Sequence, residues 1–179
     1  SLATRFQLKD LNLEETVLLL MGGVLELLAP DRVALKSQIT QRFVQDSRKM
    51  LQRNRPLLET LSQHYSLGIV SNFYGNLPGL LTKEGLAELF DVIVDSTAVG
   101  AVKPDPQIFL HATRQLNVSP KEALMVGDSL NRDMLGAESL GMPHAWVSGP
   151  HNNKPACCPN ALTLKSVLEL KDNLLCEAA

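Results

Sequence analysis

Short apolar runs alternate with segments of helical period after Pro56, and this alternation constrains the fold more than any other feature. Strands that are separated by helix-length connections pair in parallel, because a parallel neighbour needs a long crossover. The alternation therefore predicts an α/β fold over residues 55–179. The predicted strands are the apolar runs Leu67–Val70, Phe90–Val94, Ala123–Val126 and His144–Val147, followed by a short edge strand Ala161–Leu164.

Residues 1–54 lack this alternation and predict helices instead. The side chain of Asn12 can accept a hydrogen bond from the amide of Glu15, whose carboxylate can reach back, and this pairing is a helix capping box. Apolar residues then recur at helical spacing, at Leu13, Val17, Leu20, Val24 and Leu27.

A second amphipathic helix is predicted from Asp31. Its apolar residues lie near one face, and the basic residues lie largely elsewhere, which is typical of a helix packed on one side. A separate helix over Leu57–Tyr65 is predicted to begin the α/β region. The apolar face of the second helix comprises Leu35, Ile39, Phe43, Met50 and Leu51.

Composition excludes several classes of protein. Seventeen basic and nineteen acidic residues leave a net charge of −2, which predicts no nucleic-acid partner. The longest apolar run, Val17–Met21, is too short to cross a membrane. Three cysteines form neither a CxxC pair nor an even disulfide framework, so we expect a reduced, cytoplasmic protein without a thiolate metal site.

Polar residues follow two of the predicted strands, where the ligands of parallel sheets bind. Ser71 and Asn72 follow the first strand, and Asp128 follows the third, with Asp133 five residues later. Lys103 lies between them and precedes a helix. Each residue alone fits a turn, a helix cap or a solvated lysine. Together they supply a hydroxyl donor, a cation and two carboxylates, which suit phosphoryl transfer with Mg²⁺.

Three segments in this order resemble motifs two, three and four of the haloacid dehalogenase (HAD) superfamily. They are IVSN at residues 69–72, VKPDPQIF at residues 102–109 and MVGDSLNRD at residues 125–133. The resemblance covers roughly residues 55 to 176. It implies a Rossmann-like parallel sheet, a helical cap segment over residues 1–54, and hydrolysis of small phosphomonoesters through an aspartyl-phosphate.

The resemblance also implies roles for individual residues. Ser71 and Asn72 would bind the substrate phosphoryl group, and Lys103 would steady that group and the nucleophile. Asp128 and Asp133 would form the acidic Mg²⁺ site.

The sequence departs from the superfamily at the first motif, DxDx[TV], because no DxD occurs in these 179 residues. One alignment sets Leu19–Leu25 against the motif and puts Leu19 and Met21 at the two aspartate positions. In the other interpretation, residues 1–54 are the later part of the cap and the motif lies before Ser1. The helical period favours the second interpretation.

In the superfamily, the motif-one strand lies at the centre of the sheet, between the strands that end at Ser71 and Asp128. Its place is predicted to be filled by a missing segment, by a second chain, or by Val17–Met21 as a strand. The leading prediction is a phosphohydrolase domain that is inactive alone because it lacks the nucleophile. The alternative is a non-catalytic module that binds phosphate, Mg²⁺ or a protein; a haloacid dehalogenase proper ranks third.

Overall fold

The computed structural model describes residues 10–149 and 157–175. Two long helices come first, and an α/β region with parallel strands follows them. Within the described ranges, no helix is long and apolar enough to cross a membrane. The helices are α1 Leu13–Leu28, α2 Lys36–Ser62, α3 Leu77–Lys83, α4 Ser96–Val99, α5 Pro106–Gln115, α6 Leu135–Glu138 and α7 Leu170–Leu174, and the strands are β1 Gly68–Ser71, β2 Val92–Asp95, β3 Met125–Gly127, β4 His144–Val147 and β5 Leu162–Leu164.

The predicted capping box begins α1. The Glu15 amide donates to Asn12 Oδ1 at 2.9 Å, and the Asn12 amide donates to Glu15 Oε2 at 2.8 Å. The helix then runs without interruption through Gly22 to Leu28. The alternative that Val17–Met21 forms a sheet strand is therefore wrong, because the capped helix already satisfies the backbone groups that a strand would need for pairing.

Helix α2 is one continuous element across Pro56, so the separate helix predicted over Leu57–Tyr65 is incorrect. Proline removes one amide donor from a helix interior. Tertiary packing keeps the helix intact on both sides of it, because Val44 is buried against α1 and Leu61 against the sheet. The predicted boundary between residues 54 and 55 consequently lies within a single helix.

Most of the predicted apolar face of α2 is exposed, and only its Leu51 packs against a buried cluster among the described residues. Ile39, Phe43 and Met50 are 37%, 53% and 50% exposed, whereas Thr40 and Val44 are 2% and 4% exposed. Helical period shows which residues share a face, but the arrangement of neighbouring elements decides which face is covered. Among the described residues, α1 covers the Thr40 face. The exposed apolar residues on α1, on α2 and on the connection between them are Val24, Leu27, Leu28, Val33, Leu35, Ile39, Phe43 and Met50.

The parallel strands form two separate groups. Strand β1 pairs with β2, and Ser71 lies opposite Asp95. Strand β4 pairs with β3 on one side and with β5 on the other. In the part of the chain that the structure describes, no strand pairs with the second edge of β1 or of β3. The sheet is therefore divided between the strands that precede Asn72 and Asp128.

Helix α5 packs against both parts of the divided sheet. Ile108 and Phe109 are 0% and 1% exposed and share one apolar cluster with Val94 of β2. Val70 of β1 and Met125 of β3 pack against the same cluster. Burial of a large apolar side chain contributes about 1.5–3 kcal/mol, so this helix is a principal connection between the two parts.

The contact between α5 and α6 generates a prediction about stability. A Cβ atom at Gly136 would lie 2.5 Å from Phe109 Cζ and 3.2 Å from the Pro104 carbonyl oxygen. Gly136→Ala should therefore lower the free energy of unfolding by about 1–3 kcal/mol through overpacking. Urea denaturation measures the change.

The matched control is Gly68→Ala, because a Cβ there would meet Leu116 Cδ1 at an ordinary 3.4 Å. We expect that variant to stay within about 0.5 kcal/mol of the parent chain. Equal effects of the two substitutions would contradict the packing described for α5 and α6.

Candidate functional site

An ion pair between Lys103 and Asp133 lies at the ends of the strands beside the division of the sheet. Lys103 Nζ is 2.7 Å from Asp133 Oδ1, and the two side chains are only 13% and 5% exposed. No other described residue donates a hydrogen bond to Asp133 Oδ1. The positive charge of Lys103 therefore compensates for the burial of this carboxylate oxygen. Removing either partner of such a pair leaves an uncompensated charge, which typically costs about 3–5 kcal/mol.

Two local features set the position of the Asp133 carboxylate. The Ser129 amide donates to Asp133 Oδ2 at 3.0 Å, at the start of the π-helical turn Leu130–Met134. A Cβ atom at Gly127 would lie 2.6 Å from Asp133 Cγ, a distance that real Cβ contacts essentially never show. The glycine at the end of β3 therefore allows the carboxylate to approach the strand. The sequence analysis assigned no role to this glycine.

Asn72 holds the backbone of Lys103 in place. Its Oδ1 accepts a hydrogen bond from the Lys103 amide at 2.7 Å, and its Nδ2 donates to the Lys103 carbonyl at 3.1 Å. Both ends of the side-chain amide are thus engaged by one residue, which links the end of β1 to the lysine loop. This contact makes Asn72 a positioning residue, and its predicted binding of substrate stays a prediction.

Asp95 organises the loop that follows β1, and the sequence analysis did not identify it. It is 2% exposed, and its Oδ2 accepts from the amides of Gly75 and Leu77 at 2.8 and 3.2 Å. Its Oδ1 accepts from the Thr97 amide at 3.0 Å as the cap of α4. The signal in the sequence was an aspartate at a strand end followed by Ser-Thr, which is typical of a helix cap.

Ser71 and Asp128 lie at the same edge of the fold. Ser71 is the last residue of β1 and is half-buried. Asp128 follows β3 and is exposed, and its carbonyl accepts a hydrogen bond from Trp146 Nε1 at 3.0 Å. The structure thus brings Lys103, Asp133 and Asn72 into contact, and it places Ser71 and Asp128 at the ends of the flanking strands.

The donor atoms at this edge suit magnesium, which prefers hard oxygen ligands. Asp128 offers an exposed carboxylate. Asp133 is already engaged by Lys103 and by the Ser129 amide, so its oxygens are shared with other partners. One free and one shared carboxylate fit a weakly held Mg²⁺ with several retained waters.

Known proteins resemble this chain in sequence. The pyrimidine 5'-nucleotidase YjjG of Escherichia coli is 33% identical over 123 residues, which are 68% of this chain and 54% of that protein. The haloacid dehalogenase-like hydrolase domain-containing protein 3 of Bos taurus is 42% identical over 90 residues, or 50% of this chain and 36% of that protein. The chain thus spans about a third to a half of the length of these curated relatives.

Solved structures resemble it in fold. A HAD phosphatase from Thermococcus onnurineus superposes with a TM-score of 0.64 and 27% identity, over 93% of this chain and 94% of that chain. The HAD hydrolase YfnB from Bacillus subtilis, described as bound to magnesium, has a TM-score of 0.64 and 21% identity over 97% of this chain and 79% of that chain. The sequence profile of the haloacid dehalogenase-like hydrolases matches residues 8–147. With the strand order and motifs described above, this match shows that the chain belongs to the haloacid dehalogenase-like hydrolases.

Proposed function

We propose that this chain supplies the lysine–aspartate half of a phosphomonoesterase site. The observation that carries the proposal is the Lys103–Asp133 ion pair, which lies beside the division of the sheet at a distance of 2.7 Å. An ordered cation at this position can neutralise the charge that develops on a transferring phosphoryl group. Hydrolysis would proceed through an aspartyl-phosphate whose nucleophilic carboxylate comes from outside these 179 residues.

The residues of this chain support a defined set of steps. Ser71 would donate a hydrogen bond to a phosphoryl oxygen, and Lys103 would balance the charge on that group and on the attacking carboxylate. The carboxylate forms a bond to phosphorus as the ester P–O bond breaks, and the leaving alkoxide takes a proton. Water then hydrolyses the acyl phosphate. Magnesium, when bound at Asp128 and Asp133, would supply further positive charge to the phosphoryl oxygens.

Small phosphomonoesters are the proposed substrates. Relatives of this chain are named for such reactions, as a pyrimidine 5'-nucleotidase in Escherichia coli and a glyceraldehyde 3-phosphate phosphatase in Methanothermobacter thermautotrophicus. These substrates share only the phosphomonoester group, so we propose the class and no single compound. The absence of a basic excess and of paired cysteine motifs supports a cytoplasmic protein without nucleic-acid or membrane partners.

We propose that a further polypeptide segment pairs with the free edges of β1 and β3. Unpaired edges in the centre of a sheet recruit strands, and a strand there would end beside Lys103. The same segment, in a longer protein or in a second chain, can cover the exposed apolar residues of α1 and α2. The alternative function, a non-catalytic module that binds phosphate, Mg²⁺ or a protein, is favoured by the absence of DxD from this chain.

The first prediction of this proposal concerns turnover. The 179-residue chain should hydrolyse p-nitrophenyl phosphate no faster than buffer, because serine and lysine cannot replace an attacking carboxylate. The same chain, joined at Ser1 to the motif-one strand and first cap segment of the Escherichia coli relative, should show Mg²⁺-dependent turnover. Lys103→Ala should lower kcat of the joined protein about 100–1,000-fold.

Lys121→Ala is the matched control, because Lys121 is an exposed lysine in the same region of the chain. Turnover by the short chain that EDTA and Lys103→Ala both abolish would reveal a nucleophile within these residues. A joined protein that binds Mg²⁺ and inorganic phosphate without turnover would instead support the non-catalytic alternative.

A second prediction concerns the positioning role of Asn72. Asn72→Ala removes both hydrogen bonds that hold the Lys103 backbone, so the ammonium group loses its fixed position. We expect kcat of the joined protein to fall about 10–100-fold with a smaller change in KM, since misplacement mainly affects the transition state. Asn173→Ala serves as control, because the side chain of Asn173 donates to the Glu169 carbonyl near the C-terminal helix α7. An increase in KM alone would assign Asn72 to substrate binding.

A third prediction concerns magnesium. Titration calorimetry of the 179-residue chain should show weak Mg²⁺ binding, because two carboxylates hold this strongly hydrated ion poorly. Asp128→Asn should remove the measurable heat, and Asp105→Asn, at an exposed helix cap, should not. Tight binding that survives Asp128→Asn would contradict the placement of the ion.

A further inference from the structure

Three side chains that commonly bind transition metals meet at the other end of the sheet. Glu138 ends α6, His144 begins β4, and Cys158 precedes β5, and their ligand atoms all lie within 4.8 Å of one another. His144 pairs with Met125, the first residue of β3, whereas Asp128 follows the last. The cluster is therefore at the opposite end of the strands from Lys103 and takes no part in the proposed hydrolysis.

The hydrogen bonds of His144 leave one ring nitrogen open toward this cluster. The side chain is 5% exposed, and its Nδ1 lies 2.8 Å from the Met142 carbonyl oxygen. A carbonyl only accepts, so Nδ1 carries a proton and Nε2 of the neutral ring presents a lone pair. Nε2 is buried and has no hydrogen-bonding partner among the described residues. A buried imidazole nitrogen in a fixed orientation is the donor that metal sites use.

The open nitrogen points at a carboxylate. His144 Nε2 lies 3.1 Å from Glu138 Oε2, and the side chain of Glu138 is 40% exposed. A lone pair and a carboxylate oxygen at this distance repel one another. Either a second proton on the ring or a cation between the two atoms resolves the repulsion.

Sulfur atoms complete the cluster. Cys158 is fully buried beside Met134 and Ala161, and its Sγ lies 3.1 Å from Sγ of the exposed Cys157. Burial, together with smaller effects of Cys157 and Glu138, raises the pKa of the Cys158 thiol to about 12. A buried thiol of this kind stays neutral unless a cation displaces its proton.

We propose that Glu138, His144 and Cys158 bind one Zn²⁺ ion. Thiolate and imidazole ligands select zinc over magnesium, which takes oxygen ligands. Tetrahedral zinc with ordinary bond lengths places its ligand atoms about 3.3–3.8 Å apart. The three ligand atoms lie within 4.8 Å of one another, and the side chain of Glu138, which is 40% exposed, has room to turn toward the ion.

The proposed ion would join three elements that are distant in sequence. Its ligands come from α6, from β4 and from the segment that leads into β5. Among the described strands, β5 pairs only with β4 and lies at the edge of its sheet. Metal binding at such a site stabilises the folded state, because the unfolded chain holds no preformed set of ligands.

Cobalt and zinc titrations of the reduced 179-residue chain test the proposal. The chain is first stripped of metal with EDTA, and the EDTA is then removed. One Co²⁺ per chain should give a thiolate-to-cobalt charge-transfer band in the near ultraviolet. Addition of Zn²⁺ should abolish this band. Cys158→Ser and His144→Gln should each weaken binding about 100-fold or more, and Glu138→Gln about 10–100-fold. His64→Gln, at an exposed histidine, should change nothing.

Thermal unfolding supplies a second measurement that does not depend on the cobalt absorption band. Zn²⁺ should raise the Tm of the parent chain and of His64→Gln, and leave the Tm of Cys158→Ser unchanged. Far-ultraviolet circular dichroism checks that each variant is folded. Glu138→Gln is the variant least able to disturb the fold, because Glu138 is exposed. Absence of the charge-transfer band in the reduced parent chain would overturn the proposal in favour of a protonated His144–Glu138 pair. Binding by Cys158→Ser and His144→Gln that is as tight as binding by the parent chain would do the same.

Discussion

The ion pair between Lys103 and Asp133 is the interaction on which the candidate active edge depends, that is, the side chains at and beside the carboxyl ends of β1 and β3. A carboxylate that is 5% exposed needs a compensating charge, and the lysine at 2.7 Å supplies it. Three neighbouring contacts fix the positions of the two side chains. Asn72 holds the lysine backbone, the Ser129 amide holds the second carboxylate oxygen, and Gly127 leaves the space that the carboxylate occupies.

The division of the sheet explains why this pair lies at an edge and not in a closed site. Strands β1 and β3 each have a free side among the described residues, while α5 packs on both parts of the sheet from one face. Packing of helices across a gap can hold the two parts together without backbone pairing between them. The chain therefore holds Asn72, Lys103 and Asp133 in contact, although no DxD segment lies within it.

The proposed zinc cluster shows a limit of sequence motifs. The sequence predicted no thiolate metal site, because its three cysteines form neither a CxxC pair nor an even disulfide framework. Motif spacing detects ligands that share one turn or one hairpin. Glu138, His144 and Cys158 converge only because α6, β4 and the segment before β5 pack together. A ligand set drawn from three elements has no fixed spacing for a sequence search to find.

The sequence by itself determined the local elements and the types of residue at the active edge. Alternating apolar runs located all five strands to within about two residues, and the Asn12–Glu15 pair located the start of α1. Tertiary structure decided the rest, because burial depends on what packs against a face. Tertiary packing left Ile39 and Phe43 exposed and kept α2 continuous through Pro56. It also brought Lys103 into contact with Asp133, although the two residues are distant in sequence and no local pattern relates them.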